Sequence, residues 1–192
     1  PNNLLTSDYA KREIASILRC DLSLIISSYE LELLKKLFKI DENLLFHLPF
    51  SVNFEIEKST LLPFEKREHF VWIGNFRHQP NWDAVLQLKQ HIWPKIRQQL
   101  PKAELHIYGA YADNKAKQLD NPKEGFLVKG KAENALAVIA NAKVCIAPLR
   151  FGAGQKGKLF EAMQVGTPSV TTKIGAEGMC DQIDDWNGFV TD

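Results

Sequence analysis

The chain has 192 residues, 45% of them hydrophobic and 24% charged, with 24 basic against 23 acidic side chains and a formal charge of +1. That composition excludes a disordered or collagen-like chain, and neither residues 1–54 nor the rest of the chain is basic enough to argue for binding along a nucleic-acid backbone. A chain of this length can bury about 70% of its unfolded surface, so no metal or disulfide staple is needed to hold a fold.

In chain order, residues 4–18 place Leu4, Leu5, Ile14, Ile17 and Leu18 on a loosely helical period. Leu22 to Ile26 reads as a buried strand. Ser27 followed by Glu30 has capping-box spacing and opens a helix with Leu31, Leu34, Leu37 and Phe38 on one face. Leu44 to Leu48 reads as another short strand, which leaves this part too few strands for a sheet of its own. Residues 55–68 are charged, carry Pro63 and lack a period, so they are assigned to a linker between residues 1–54 and 69–192.

After the linker the rhythm is regular. Phe70 to Ile73 is a strand, and Asn81 is expected to cap a helix carrying Trp82, Val85, Leu86, Ile92 and Ile96. Leu105 to Tyr108 is a strand, followed by a short helix near 113–119. Phe126 to Val128 is a strand, followed by a helix over 132–140. Val144 to Ala147 is a strand, then come a glycine-rich loop and a helix near 156–165. Ser169 to Thr171 and Gly188 to Val190 complete the set. Short apolar strands alternating with helices predict an α/β fold, a doubly wound parallel sheet preceded by a partial α/β segment. Ligands of such sheets bind at the carboxyl ends of strands, which directs attention to loops 74–80, 109–112, 130–132, 148–157 and 173–178.

The loop from Pro148 carries Gly152, Gly154 and Gly157 where a helix begins, with Arg150, Lys156 and Lys158 and no acid before Phe160. Glycines let main-chain amides approach an anion, and the helix N-terminus adds a favourable dipole, so the loop suits a phosphate. The same residues also suit a loop whose glycines serve turns and whose lysines are solvated. Gly152 to Gly157 also spells Gly-x-Gly-x-x-Gly, but after the fourth strand of the regular part and without an acid ending the next strand. A nicotinamide dinucleotide is therefore not expected. Glu161 falls one turn into the following helix, where a carboxylate can accept bonds from both hydroxyls of a ribose. An ordinary solvated glutamate fits the same position.

The stretch from Gly157 to Met179 resembles the donor-binding signature of the GT-B glycosyltransferases, closest to family 4, also called group 1. It has a glycine-rich loop, Lys158-x-x-Glu161-Ala162-Met163, the Gly166-x-Pro168 turn, a strand and the Gly175-x-Glu177-Gly178 loop. Ile73–Phe76, Pro80–Val85, Leu105–Gly109, Val128–Gly130 and Cys145–Leu149 fall in the order the resemblance requires. Residues 21–53 resemble the end of that family's amino-terminal domain.

The resemblance implies a Rossmann-like nucleotide-sugar domain over 69–192 and a remnant of the acceptor domain over 1–54. It implies transfer of a sugar to an acceptor hydroxyl, with retention and without a metal or a cofactor beyond the donor. It further implies that Glu161 holds the ribose, that amides of Gly152, Ala153, Gly154 and Gln155 face the diphosphate and sugar, and that Gly130 and Lys131 line the base. The family's first-loop cations read here as Gly74, Asn75 and, at the lysine position, Pro80, leaving Arg77, His78 or Lys158 to supply charge. The first of its two glutamates falls at Ala153. A non-catalytic nucleotide-sugar-binding or scaffold module is the alternative.

On this reading the catalytic residues lie in the amino-terminal domain and are unknown. The chain is expected to be an incomplete enzyme, shortened at both ends and inactive alone. Its partners are the donor and a carbohydrate or lipid-linked acceptor in polysaccharide biosynthesis, with no nucleic acid. Cys20, Cys145 and Cys180 match neither a disulfide framework nor a Cys-x-x-Cys pair, which fits a reducing cytoplasm, with peripheral membrane attachment left open. No apolar run reaches the roughly 20 residues of a membrane span. Cys145, Trp72, Trp82 and Trp93 are expected in or beside the core, while His47, His69, His91 and His106 show no metal-ligand spacing. Asp184 and Asp185 read as solvated.

Overall fold

The computed structural model describes residues 7–49, 61–179, 186 and 188–191. Leu4, Leu5, Cys180, Asp184, Asp185 and residues 55–60 of the expected linker lie outside the described residues. By compactness the chain divides into two units, Pro1–Ser51 with Glu177–Met179, and Val52–Ala176 with Cys180–Asp192.

In the first unit, α1 (Asp8–Ile17) opens at Ser7, whose hydroxyl accepts the Ala10 amide at 3.2 Å. Ser27 caps α2 (Ser28–Lys36) by accepting the Glu30 amide at 3.3 Å, as the capping-box spacing requires. Strands β1 (Ser23–Ile25) and β2 (Leu45–His47) pair in parallel. Ile17, Leu34, Ile40 and Leu45 form the buried cluster, with Leu31 and Phe38 packed at its edge. Leu37, expected on the apolar face, is exposed because α2 ends at Lys36 and the chain turns there.

The second unit is a parallel sheet wound with helices. Its elements are β3 (Glu68–Ile73), α3 (Gln79–Gln87), α4 (Trp93–Gln99), β4 (Leu105–Tyr108), α5 (Asn114–Lys117) and β5 (Phe126–Gly130). Then follow α6 (Ala135–Ala140), β6 (Ala142–Ala147), α7 (Gly157–Gln164), β7 (Ser169–Thr172), α8 (Lys173–Ala176) and β8 (Gly188–Thr191). The strand order is β5-β4-β3-β6-β7-β8, every pairing parallel. This is the doubly wound α/β sheet that the alternation of elements predicts.

Neighbouring residues of a strand face opposite sides of the sheet, so Trp72 and Val71 feed two separate cores. Trp72, Leu88, Trp93, Leu105, Ile107 and Phe126 fill one, and Val71, Ile139, Ala142, Cys145 and Ala162 fill the other. Trp82 is half-buried at the edge of the first core, and the Trp93 indole donates to the Glu124 carbonyl at 2.7 Å.

Three expectations change. The long helix expected after β3 is interrupted by a π turn at Leu88–Ile92, just ahead of Pro94 in the first turn of α4. Proline has no amide to continue the ladder, so the helix widens before it. The loop expected at 173–178 begins as the short helix α8. Arg67, read as part of a charged linker, is buried. It donates to the carbonyls of Leu62, Val165 and Gly166 and to the Thr167 hydroxyl. Among the described residues no helix is long and apolar enough to cross a membrane.

Candidate functional site

Strand order reverses between β3 and β6, so the loops leaving their carboxyl ends run to opposite faces of the sheet and part. A ligand enters a doubly wound sheet at this point. The opening here is a cleft of about 180 Å³. His78, Pro80 and Asn81 line it from the β3 side, and Leu149, Phe151 to Ala153 and Gln155 to Lys158 line it from the β6 side. Pockets that enclose a whole small molecule run from roughly 300 Å³ upward, so this one has room for only part of such a molecule.

Local sequence shapes the β6 side. Gly152 has φ +127° and lies against the Pro80 ring, where an added Cβ would come within 3.4 Å of proline carbon. A residue with a side chain is strained at that φ, so glycine is what lets the main chain follow the wall of the cleft. At the N-terminus of α7, Lys156 occupies the capping position without a side-chain capping bond, and Gly157 and Lys158 line the cleft. The positive end of the helix dipole therefore opens there.

The cations are not equally placed. Arg150, counted above among the phosphate charges, is instead engaged by Asp83 in a two-point ion pair, one contact being Nε to Oδ2 at 2.9 Å. That bond holds the Asp83 carboxyl below its usual range. Lys156 is buried and donates to the Gly154 carbonyl within its own loop. Arg77 lies over the Tyr111 ring at 4.0 Å, and the two line a neighbouring cavity of about 520 Å³. Lys158 places Nζ 2.8 Å from Asn81 Oδ1 and 4.5 Å from the Trp72 ring centre. Burial pulls this ammonium down to about 8, against the opposing influence of Cys145 and Glu161. Glu161, half-buried on α7, has its carboxyl pushed up by burial, with Lys158 opposing.

The structure thus collects Gly152, Ala153, Gln155 and Lys158 at the cleft, with Gly154 on the same loop and Glu161 one turn along α7. Gly74 and Asn75 begin the facing loop. Gly130 ends β5, two strands from β3, and Lys131 follows it; the Gly109 amide donates to the Gly130 carbonyl at 2.8 Å. Among the described residues no group of three side chains suited to a metal occurs.

Asn81 departs from expectation. The helix begins at Gln79 with His78 in the capping position, so Asn81 stands inside the first turn. Its side-chain nitrogen donates to the Asn75 carbonyl at 3.2 Å, and its oxygen accepts Lys158. The legible signal was Pro80, a residue at home in a helix's first turn, which moves the start ahead of Asn81. Also unforeseen, His69 and His106 stack at 3.9 Å on adjacent strands. They line a cavity of about 830 Å³ at the amino-terminal ends of β3 and β4, remote from the switch point.

The family described as glycosyl transferases group 1 matches residues 67–192. No curated protein sequence matches the chain. Among solved structures it is similar to a mutant of S. aureus TarM in complex with Fondaparinux, alpha-GlcNAc-glycerol and UDP. That match has a TM-score of 0.72 and 17% identity, and covers 97% of this chain and 38% of that one. It is similar to the pneumococcal O-GlcNAc transferase GtfA in complex with UDP and GlcNAc, with a TM-score of 0.70, 14% identity, and 97% and 37% covered. It is also similar to Anabaena HepE in complex with UDP and glucose, with a TM-score of 0.61, 14% identity, and 90% and 49% covered. At these identities the likeness is one of fold, and the chain spans less than half the length of each of the three.

Proposed function

The chain belongs to the glycosyl transferases group 1, and from that premise we propose that it binds a nucleoside-diphosphate sugar at the switch-point cleft. In the whole protein the sugar then passes to an acceptor hydroxyl, with retention of configuration. The observation that carries this reading is the arrangement at one helix end: the glycine loop, the start of α7 without a side-chain cap from Lys156, and Lys158 and Glu161 within two turns of one another.

The chemistry asks for little else from this part of the protein. As the sugar leaves, negative charge builds on the diphosphate. Donors already fixed in place stabilise that charge without reorganising at the moment of reaction. Amides of the glycine loop and of the first turn of α7 supply such donors, and the Lys158 ammonium supplies the full charge that Pro80 lacks. Glu161 accepts the ribose hydroxyls, and Gly130 and Lys131 take the base. Ala153 brings no carboxylate to the sugar. The structures of TarM, GtfA and HepE contain UDP, which supports a uridine nucleotide here ahead of a guanosine one. The acceptor on this reading is a carbohydrate or a lipid-linked saccharide.

Thermal denaturation with UDP, GDP and ADP tests the binding step. A ligand at 100 times its dissociation constant stabilises the folded chain by about 2.7 kcal/mol, a shift of several degrees. If none of the three moves the melting temperature at millimolar concentration, the reading is wrong. Pro80 and Ala153, both lining the cleft, favour as a second reading a module that binds the donor without turning it over. Sugar release from the donor by the whole protein separates the two.

A further inference from the structure

Of the four basic side chains near the cleft, Arg150 is paired with Asp83, Lys156 is turned back onto the Gly154 carbonyl and Arg77 is laid on Tyr111. Lys158 is the fourth, and its ammonium is held by Asn81 in the first turn of α3 on the opposite side of the cleft. We propose that Asn81 is the positioning residue of this site, fixing the Lys158 ammonium over the Trp72 ring so that it faces the diphosphate of the bound nucleotide. The inference rests on the donor-binding reading above and adds how its cation is placed.

Four observations converge. The ammonium can only donate and the Asn75 carbonyl can only accept, so together they fix which end of the Asn81 amide points which way. Lys158 and Asn81 lie 77 residues apart and come from the first turns of α7 and α3, on the two sides of the cleft. The Trp72 ring, fully buried, offers the ammonium its π face at 4.5 Å. Gly74 makes the arrangement possible, since a Cβ there would come within 3.0 Å of the Asn81 amide carbon and nitrogen. Any side chain at position 74 displaces the amide.

The charged state of Lys158 follows from its surroundings. Trp72 on β3 and Asn81 on α3 are neutral. The titratable groups that act on it are the Cys145 thiol on β6 and the Glu161 carboxyl on α7. A bound diphosphate requires the ammonium form, so binding takes up a proton wherever Lys158 has lost one.

Titration of UDP by calorimetry across pH 6–10 reads this linkage. UDP affinity of the unaltered chain is expected to fall about tenfold per unit as the pH rises through about 8. In Asn81→Ala, which loses the acceptor, the break moves to lower pH and affinity at pH 7.5 drops about tenfold. In Asn81→Asp, which is isosteric and so keeps the test open should the alanine variant not fold, the new carboxylate moves the break to higher pH. Lys158→Arg, charged throughout, removes the break. A break unmoved in both Asn81 variants, whatever their affinities, makes Asn81 merely structural and overturns the proposal. NMR titration of the lysine ammonium groups without nucleotide gives an independent answer: a Lys158 titration unchanged by Asn81→Ala also overturns it. No binding of UDP by the unaltered chain overturns instead the donor-binding reading, while the NMR result still judges the Asn81–Lys158 pairing.

Discussion

Glu161 sits half-buried with its carboxyl pushed up by burial, an arrangement that gives the folded chain no advantage from its charge. On the donor-binding reading proposed above, its role is to hold the ribose of the nucleotide. Glu161→Ala is therefore expected to weaken UDP binding by about 1.5–3 kcal/mol, the scale of hydrogen bonds to a charged group. Calorimetric titration checks this, and the melting temperature in the absence of nucleotide should stay within about 2 °C. An unfolded variant, or one with unaltered affinity, returns Glu161 to an ordinary helix glutamate. Individual residues differ in how plainly the chain announces them. Ser27 was legible as a cap because its partner is three residues away. Asn81 was not, because its partners are the Asn75 carbonyl and Lys158, and the amide that could cap a helix is taken by both.

At the scale of elements, α7 is anchored at its far end by Arg67. The guanidinium meets the Val165 and Gly166 carbonyls just past the last turn, where the helix dipole is negative, together with Thr167 Oγ1 at 2.9 Å. Thr167 in turn donates to the Ile139 carbonyl at 2.8 Å, tying α7 to α6. Arg67→Met leaves these acceptors buried without a donor and should cost about 2–4 kcal/mol of stability. Denaturant unfolding measures it. Arg67→Lys should recover little, because one ammonium cannot span a fan of acceptors built for a planar fork. A loss under 0.5 kcal/mol would show that water replaces the guanidinium. Local patterning located the helices and strands well where apolar runs were short and bounded, as at Leu105–Tyr108. It failed at Arg67, because a charged residue in an aperiodic stretch looks the same whether solvated or buried among carbonyls.

For the whole molecule, one contribution to acid stability comes from His69 on β3, stacked on His106 of β4. His69 is held down at about 4, first by burial, then by His106, with Lys129 adding to the effect and Glu104 opposing it. The folded chain keeps this imidazole neutral, whereas the unfolded chain takes up a proton below about pH 6.5. Stability is therefore full above about 6.5 and declines as the pH falls toward 4. His69→Asn removes that titration and still suits the left-handed backbone at φ +46°. Its melting temperature should fall less than that of the unaltered chain between pH 6.5 and 4.5, as followed by circular dichroism; parallel curves would contradict the assignment. By itself the sequence determined the alternation of strands and helices, and so the parallel sheet, because apolar runs and turn residues act within a few positions of each other. It brought the glycines, lysines and Glu161 of the glycine loop together for the same reason: they are near neighbours along the chain. Only the tertiary structure decided which charges reach the cleft. Arg150 is paired with Asp83, 67 residues away, and Lys158 is bonded to Asn81, 77 residues away. Those pairs meet because the strand order places β3 beside β6, and residue periodicity carries no record of which strand lies beside which.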